Sequence, residues 1–179
     1  MPPRPDKSLL DDLAARVGDL RFDIYRVAGW RGARRVSSVV GARAVAVIHT
    51  PPQPSPVWVE VETRLIDDDL VSSQPEVEVA AALEEVLWFD VPSERQSLRD
   101  DADASRIVDA NIAIERRVQR ARRRRLRLAV DGAPVELAAV GDSNAWAALG
   151  RVGGVAVRIS ARGVEPSSVA LERVDPRRL

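Results

Sequence analysis

The chain has 179 residues with 27 basic and 27 acidic side chains, so its formal net charge is zero, and it contains no cysteine. The missing cysteines exclude disulfides and cysteine-ligated metal or iron–sulfur sites. The balanced charge excludes polyanion binding through an overall positive charge, so any nucleic-acid binding must come from a local patch.

The beginning of the chain carries no recognisable export or membrane signal. The opening stretch MPPRPDKSLLDDL lacks the apolar core of a signal peptide. No apolar run in the sequence reaches the roughly 18 residues that a transmembrane helix needs. We therefore expect a cytoplasmic protein whose Pro-rich residues 1–6 are disordered.

The first half of the chain predicts a helix, three strands and a second helix. Apolar residues recur at helical spacing in residues 8–18 and again in residues 77–89. Residues 21–27 and the extended run 36–50 predict the first two strands. In residues 57–66, valines alternate with Trp, Glu and Arg, which is typical of a strand with one buried and one solvated face.

The second half predicts one helix followed by five strands. An amphipathic helix begins near Asp103, and apolar residues then alternate in five short runs. The Asp131-Gly132 pair predicts the turn between the first two of these strands. The runs lie at about residues 125–130, 135–139, 145–152, 155–162 and 169–174.

These elements predict an α+β fold, with an antiparallel β-meander sheet or sheets packed against a few helices in the order α-βββ-α-α-βββββ. The meander has one apolar face, which we expect a helix to cover. Residues 7–179 are predicted to form a single compact domain. The polar segment that follows residue 92 leaves open two sub-domains, 7–92 and 103–179.

Eight arginines fall between Arg116 and Arg127, which makes this stretch a candidate polyanion site. A continuous helix would bring several of them to one face. Three observations weaken this interpretation. Cations are favoured at a helix C-terminus in any case, and no aromatic residue lies among the arginines to stack on bases. Acidic runs elsewhere in the chain could also form ion pairs with the arginines. A solvated or ion-paired surface and an acidic protein partner are therefore the alternatives. The candidate residues are Arg116, Arg120, Arg123, Arg124 and Arg127.

Two tryptophans predict a protein interface. Trp30 lies in a loop rich in Gly and Arg, and Trp58 lies on the charged face of its predicted strand together with Arg64. Exposed tryptophan beside arginine is typical of the centre of a protein–protein interface. We expect a protein partner or a homo-oligomer to contact Trp30, Trp58 and Arg64.

Nothing in the sequence predicts a catalytic, metal or cofactor site. His49 is the only histidine and no nucleophile motif accompanies it. Glu60 and Glu62 share one strand face, but Arg64 follows them and such alternation is typical of a solvated face. We therefore expect a non-enzymatic protein that binds another protein or itself through a sheet face or edge. The alternative is nucleic-acid binding through Arg116 to Arg127.

Overall fold

The fold is α+β, and in the part of the chain that the structure describes two helices pack outside a mostly antiparallel sheet. The structure, a computed structural model, describes residues 24–29, 34–40, 44–50, 57–65, 75–88 and 104–174. In chain order, the elements in these ranges are β1 (Ile24–Val27), β2 (Arg34–Val40), β3 (Ala44–Thr50), β4 (Trp58–Leu65), α1 (Pro75–Trp88), α2 (Ala104–Arg120), β5 (Arg123–Val130), β6 (Ala133–Gly141), β7 (Ala145–Val152), β8 (Val155–Arg162) and β9 (Ala170–Val174).

Seven of the nine described strands nearly close into a barrel. The full strand order is β1-β9-β5-β6-β7-β8-β4-β3-β2, and the barrel runs from β1 to β4 in that order. Its two ends meet where the backbone N–H of Tyr25 in β1 donates to Oγ1 of Thr63 in β4 at 3.1 Å. The β2–β3 hairpin continues the sheet beyond β4.

The barrel interior is the larger of two apolar cores. Its residues alternate along each strand, as they do for Val157, Ile159 and Ala161 in β8. Trp146 is fully buried there, and its Nε1 donates to the carbonyl oxygen of Val164 at 2.8 Å. The hydrogen bond satisfies the one polar atom of the indole, which lets this large side chain fill the interior.

A second core lies between α1 and the outer face of β6, β7 and β8. Pro75 at the first position and two glutamates in the first turn favour the start of α1. A helix of this length is marginally stable alone, so α1 depends on the apolar face that it buries. The buried residues of α1 are Val79, Ala82, Leu83, Val86 and Leu87.

Helix α2 lies beside α1 and is more exposed. Ile114 is buried in the second core, and Val118 is half-buried against it. Val108 and Ile112 stay 54% and 41% exposed on another face. No helix among the described residues is long and apolar enough to cross a membrane.

Most of the predicted elements are confirmed, including α1, α2 and all five C-terminal strands. The Asp131-Gly132 turn is confirmed as well, because both residues have positive φ values of 50° and 79°, which is the signature of a tight hairpin. The sheet joins both halves of the chain through the pairing of β4 with β8. Whether sub-domains 7–92 and 103–179 fold independently stays a prediction. The helix predicted at 8–18 and the disordered segment 1–6 lie outside the described residues.

Three expectations about the strands are wrong. The run 36–50 is not one strand but the antiparallel hairpin of β2 and β3. The last strand does not continue the meander, because β9 pairs in parallel with β5 and antiparallel with β1. The apolar face of the meander is not covered by a helix either. This apolar face lines the interior of the barrel, and α1 covers the outer face of the sheet.

Candidate functional site

The arginine block lies where α2 passes into β5. The helix closes with a tight turn in which the N–H of Ala121 donates to the carbonyl oxygen of Val118 at 3.1 Å. The carbonyl oxygen of Arg122 then accepts from the N–H of Gly141 at 3.3 Å, which starts the pairing of β5 with β6. Arg124 is half-buried. The exposed arginines, which we call the arginine surface, are Arg116, Arg117, Arg120, Arg122, Arg123, Arg125 and Arg127.

Four arginines of this surface converge on a cleft of about 580 Å³, which we call the first cleft. One carboxylate, that of Asp142, faces them there. The remaining walls are apolar and come from α1, from α2 and from the turn between β6 and β7. The residues that line the first cleft are Leu83, Ala113, Arg116, Arg117, Arg120, Ala121, Arg122, Gly141, Asp142 and Ala145.

The position of Asp142 is fixed by the turn that it caps. Its Oδ1 accepts hydrogen bonds from the backbone N–H groups of Asn144 and Ala145, both at 2.8 Å. Its Oδ2 lies 3.5 Å from Nη2 of Arg117. Burial alone would raise the pKa of Asp142, but these two backbone hydrogen bonds and Arg117 together lower it below its ordinary value. The carboxylate therefore stays ionised and holds one of the four guanidinium groups.

A second cleft, of about 340 Å³, is lined by the three arginines that follow Arg122 in the chain and by residues of α1 and β6. Nη1 of Arg123 lies 2.7 Å from Oε2 of Glu76, the second residue of α1. The buried Nε and Nη2 atoms of Arg124 have no hydrogen-bond partner among the described residues. The residues that line the second cleft are Pro75, Glu76, Val79, Arg123, Arg124, Arg125, Ala138, Ala139 and Val140.

The predicted polyanion residues are only partly brought together. Arg116 and Arg120 share the first cleft, but Arg123, Arg124 and Arg127 do not continue their helical face, because α2 ends at Arg120. Alternation along β5 instead sends Arg123 and Arg127 to one side and Arg124 to the other.

Part of the block is ion-paired and part is not. Besides the Arg117 and Arg123 pairs, Nε of Arg125 lies 3.8 Å from Oε1 of Glu136. The acidic runs that the sequence offers as partners of the arginines are Asp67–Asp69 and Asp100–Asp103, and both lie outside the described residues. The arginines of the surface that form no ion pair with any described residue are Arg116, Arg120, Arg122 and Arg127.

Of the three residues of the predicted protein interface, Trp58 and Arg64 are described by the structure. The expectation that Trp58 is exposed is wrong, because Trp58 is only 7% exposed and packs in the core beneath α1. Arg64 forms ion pairs with Glu62 and with Glu78 of α1, the latter at 3.4 Å. Trp30 lies outside the described residues. Whether any of the three contacts a partner stays a prediction.

Glu60 and Glu62 belong to a largely buried ionic network on the outer face of β4 and β8. Nη2 of Arg158 lies 2.6 Å from Oε2 of Glu62, 3.7 Å from Glu85 and 4.0 Å from Glu60. Burial raises the pKa of Glu60, while Arg158 lowers it and Glu85 raises it further. The expectation of a solvated strand face is wrong here, because α1 covers it. The arrangement ties α1 to the barrel.

Neither arginine cleft includes a residue of this network. His49 lies in β3, in register with Val61 of β4. Among the described residues, no group of three or more His, Asp or Glu side chains could hold a metal ion. The arginine surface, which lines two clefts, is therefore the candidate site.

The two carboxylates of this site were not predictable from the sequence. Asp142 stands in a recognisable turn sequence, GDSN, but nothing in the sequence places that turn beside α2. Glu76 lies 47 residues from the arginine it contacts, and only the packing of α1 brings the two together.

Comparison of the chain with protein-family models, with curated protein sequences and with solved structures gave no match.

Proposed function

We propose that this protein binds nucleic acid through the arginine surface. The observation that carries the proposal is the convergence of four arginines on the first cleft opposite a single carboxylate. Guanidinium groups bind phosphate oxygens through paired, charge-assisted hydrogen bonds, and phosphate contacts supply most of the affinity of sequence-independent binding. Arg116, Arg120 and Arg122 have no ion pair with a described residue and are free to make such contacts.

The expected mode of binding is to the backbone rather than to the bases. No aromatic side chain is among the residues that line the two clefts, so base stacking contributes nothing there. Because the net charge of the chain is zero, its overall charge adds no attraction and a local surface must supply it. Binding should therefore be indifferent to base sequence and steeply weakened by salt.

The proposal is tested by titrating labelled DNA and RNA with the purified protein at two salt concentrations. With four phosphate contacts to a single strand, affinity should fall roughly fifty-fold between about 50 mM and about 200 mM salt. The Arg116→Ala/Arg120→Ala variant should bind more weakly than the wild type. Binding that is absent in the wild type, or that does not respond to salt, overturns the proposal.

Arg151→Ala is the matched control for the arginine variants. Arg151 is exposed and lies six residues along β7 from Ala145, a lining residue of the first cleft. That separation corresponds to about 20 Å of strand. The control should bind like the wild type. Equal losses in Arg151→Ala and in the cleft variant would mean that the surface has no special role.

A second proposal is that the protein binds a protein partner, or a second copy of itself, through the edge of β2. Among the described strands, β2 ends the sheet order and pairs only with β3. An unpaired strand edge offers backbone donors and acceptors to another chain. The second proposal therefore retains the predicted contact through a sheet edge but does not include Trp58, which is buried.

Proline scanning of β2 tests the second proposal. Successive N–H groups of a strand point to opposite sides, so one of Ser37→Pro and Ser38→Pro interrupts the pairing with β3 and the other blocks only the free edge. If the wild type is an oligomer, the variant that keeps the fold should sediment with a lower mass. If the wild type binds a protein partner, this variant should no longer bind it. A wild-type chain that is monomeric at all concentrations and has the same partners as this variant overturns the proposal.

A further inference from the structure

The two arginine clefts follow each other along the same structural elements. Along α1, Pro75, Glu76 and Val79 line the second cleft and Leu83 lines the first. Along β6, residues 138–140 line the second cleft and Gly141 lines the first. Arg122 and Arg123 are consecutive residues that line one cleft each. Three separate elements thus run from one cleft directly into the other.

The dimensions fit one strand of a nucleic acid. Eight residues of α1 separate Pro75 from Leu83, which corresponds to about 12 Å along the helix axis. The clefts measure about 580 and 340 Å³. A whole duplex is wider than its own major groove of about 12 Å and cannot enter such spaces, whereas the backbone of a single strand can.

The two carboxylates of the clefts occupy positions that phosphates would take over. Oε2 of Glu76 lies 2.7 Å from Arg123, and Oδ2 of Asp142 lies 3.5 Å from Arg117. Both pairs are largely exposed, so each is weak and is easily replaced by another anion. In the absence of ligand they neutralise part of the positive charge of the clefts.

We propose that the two clefts form one groove for the backbone of a single-stranded nucleic acid, and that Glu76 competes with a phosphate for Arg123. This inference rests on the proposed nucleic-acid binding and assigns its ligand class. The groove places first-cleft and second-cleft arginines on successive phosphates of the same strand. A single strand therefore binds more tightly than a duplex of the same sequence.

The test compares a single strand of about 12 nucleotides with its duplex, using the wild type and one variant for each cleft. Arg116→Ala/Arg120→Ala removes arginines from the first cleft. Arg125→Ala removes an exposed arginine from the second and leaves the half-buried Arg124 intact. Both variants should bind the single strand more weakly, with a salt slope smaller by about 0.7 for each phosphate that the variant no longer binds.

Glu76→Gln tests the competition directly, because it should raise the affinity for the single strand about three-fold. Glu165→Gln is the matched control, since it removes the same charge from an exposed residue that lines neither cleft. Affinity that rises equally in both variants would reflect net charge alone and would overturn the competition.

The outcomes separate this inference from the proposed function. A duplex that binds as tightly as the single strand overturns the groove and leaves nucleic-acid binding intact. A first-cleft variant that loses affinity while Arg125→Ala and Glu76→Gln behave like the wild type also overturns it. A wild type that binds neither the strand nor the duplex overturns the proposed function together with the groove.

Discussion

Nη2 of Arg158 in β8 lies 2.6 Å from Oε2 of Glu62 in β4, and both side chains are largely buried, at 14% and 5% exposure. The pair joins the two strands on the outer face of the barrel. Glu85 of α1 approaches the same guanidinium at 3.7 Å. A pair of charges in this position anchors the helix whose packing also shapes both arginine clefts.

Removing one partner of this pair should destabilise the fold strongly. Glu62→Leu leaves Arg158 buried with only the more distant Glu60 and Glu85, and Arg158→Leu leaves the buried Glu62 with Arg64 alone. Each single variant should cost about 3 kcal/mol of the free energy of unfolding. The Glu62→Leu/Arg158→Leu double variant should be closer to the wild type than either single variant, because no unpaired member of the pair remains. Urea unfolding of the four proteins measures the coupling.

The exposed pair of Arg173 and Asp131, at 3.8 Å, provides the control for that cycle. Arg173→Ala should change the free energy of unfolding by less than about 1 kcal/mol, since exposed ion pairs contribute little. If Glu62→Leu is as mild as Arg173→Ala, the buried pair of Glu62 and Arg158 does not stabilise the fold.

Glu60 should make stability fall as the pH rises. Burial raises its pKa above the ordinary value of 4.5, with Arg158 opposing the rise and Glu85 adding to it. Between 4.5 and the raised pKa, the folded chain keeps a proton that the unfolded chain has released, so increasing pH favours unfolding. The Glu60→Gln variant has no titratable group at this position, so its free energy of unfolding lacks this dependence on pH.

The free energy of unfolding of Glu60→Gln, measured relative to the wild type, should therefore increase as the pH rises through this window. Urea unfolding at several pH values from about 4 to about 7 follows the difference. A variant that instead loses stability relative to the wild type with rising pH would mean that attraction to Arg158 outweighs the cost of burial.

Gly141 should tolerate no side chain. Its φ is +118°, and a Cβ atom there would overlap the carbonyl oxygen of Ala145 and lie 2.7 Å from the Cα of Trp146. Both neighbours are backbone atoms that cannot rotate away. Gly141→Ala should therefore lose about 3 kcal/mol of the free energy of unfolding.

Gly154→Ala is the matched control for that substitution, because a Cβ at Gly154 meets no atom within 4 Å. It should change the free energy of unfolding by about 0.5 kcal/mol or less. Thermal or urea unfolding compares the two variants. Equal stability of Gly141→Ala and Gly154→Ala would contradict the turn geometry at the edge of the first cleft.

The elements of this fold were predictable where periodicity alone defines them. Val157, Ile159 and Ala161 alternate with polar residues, and β8 follows that alternation directly. Barrel closure was not predictable, because the alternation within β9 is the same whichever strand it pairs with. Its neighbours depend on long-range contacts, such as the backbone N–H of Arg173 donating to Oδ1 of Asp131 at 2.8 Å.

For the same reason, only part of the candidate site could be predicted from the sequence. The arginines stand together in the chain, so their density could be predicted from the sequence. The burial of Trp58 and the contact of Glu76 with Arg123 both depend on where α1 packs, and no local pattern specifies that. Alternation of charged residues along β4 indicates a solvated face only when no helix covers it.

The salt dependence of single-strand binding tests the central claim most directly. The logarithm of affinity should fall linearly with the logarithm of salt concentration, with a slope of about −3 if the four arginines of the first cleft each meet a phosphate. The Arg116→Ala/Arg120→Ala/Arg122→Ala variant should reduce the slope to about −1. A wild-type slope near zero, or a variant slope equal to that of the wild type, would contradict nucleic-acid binding by the arginine surface.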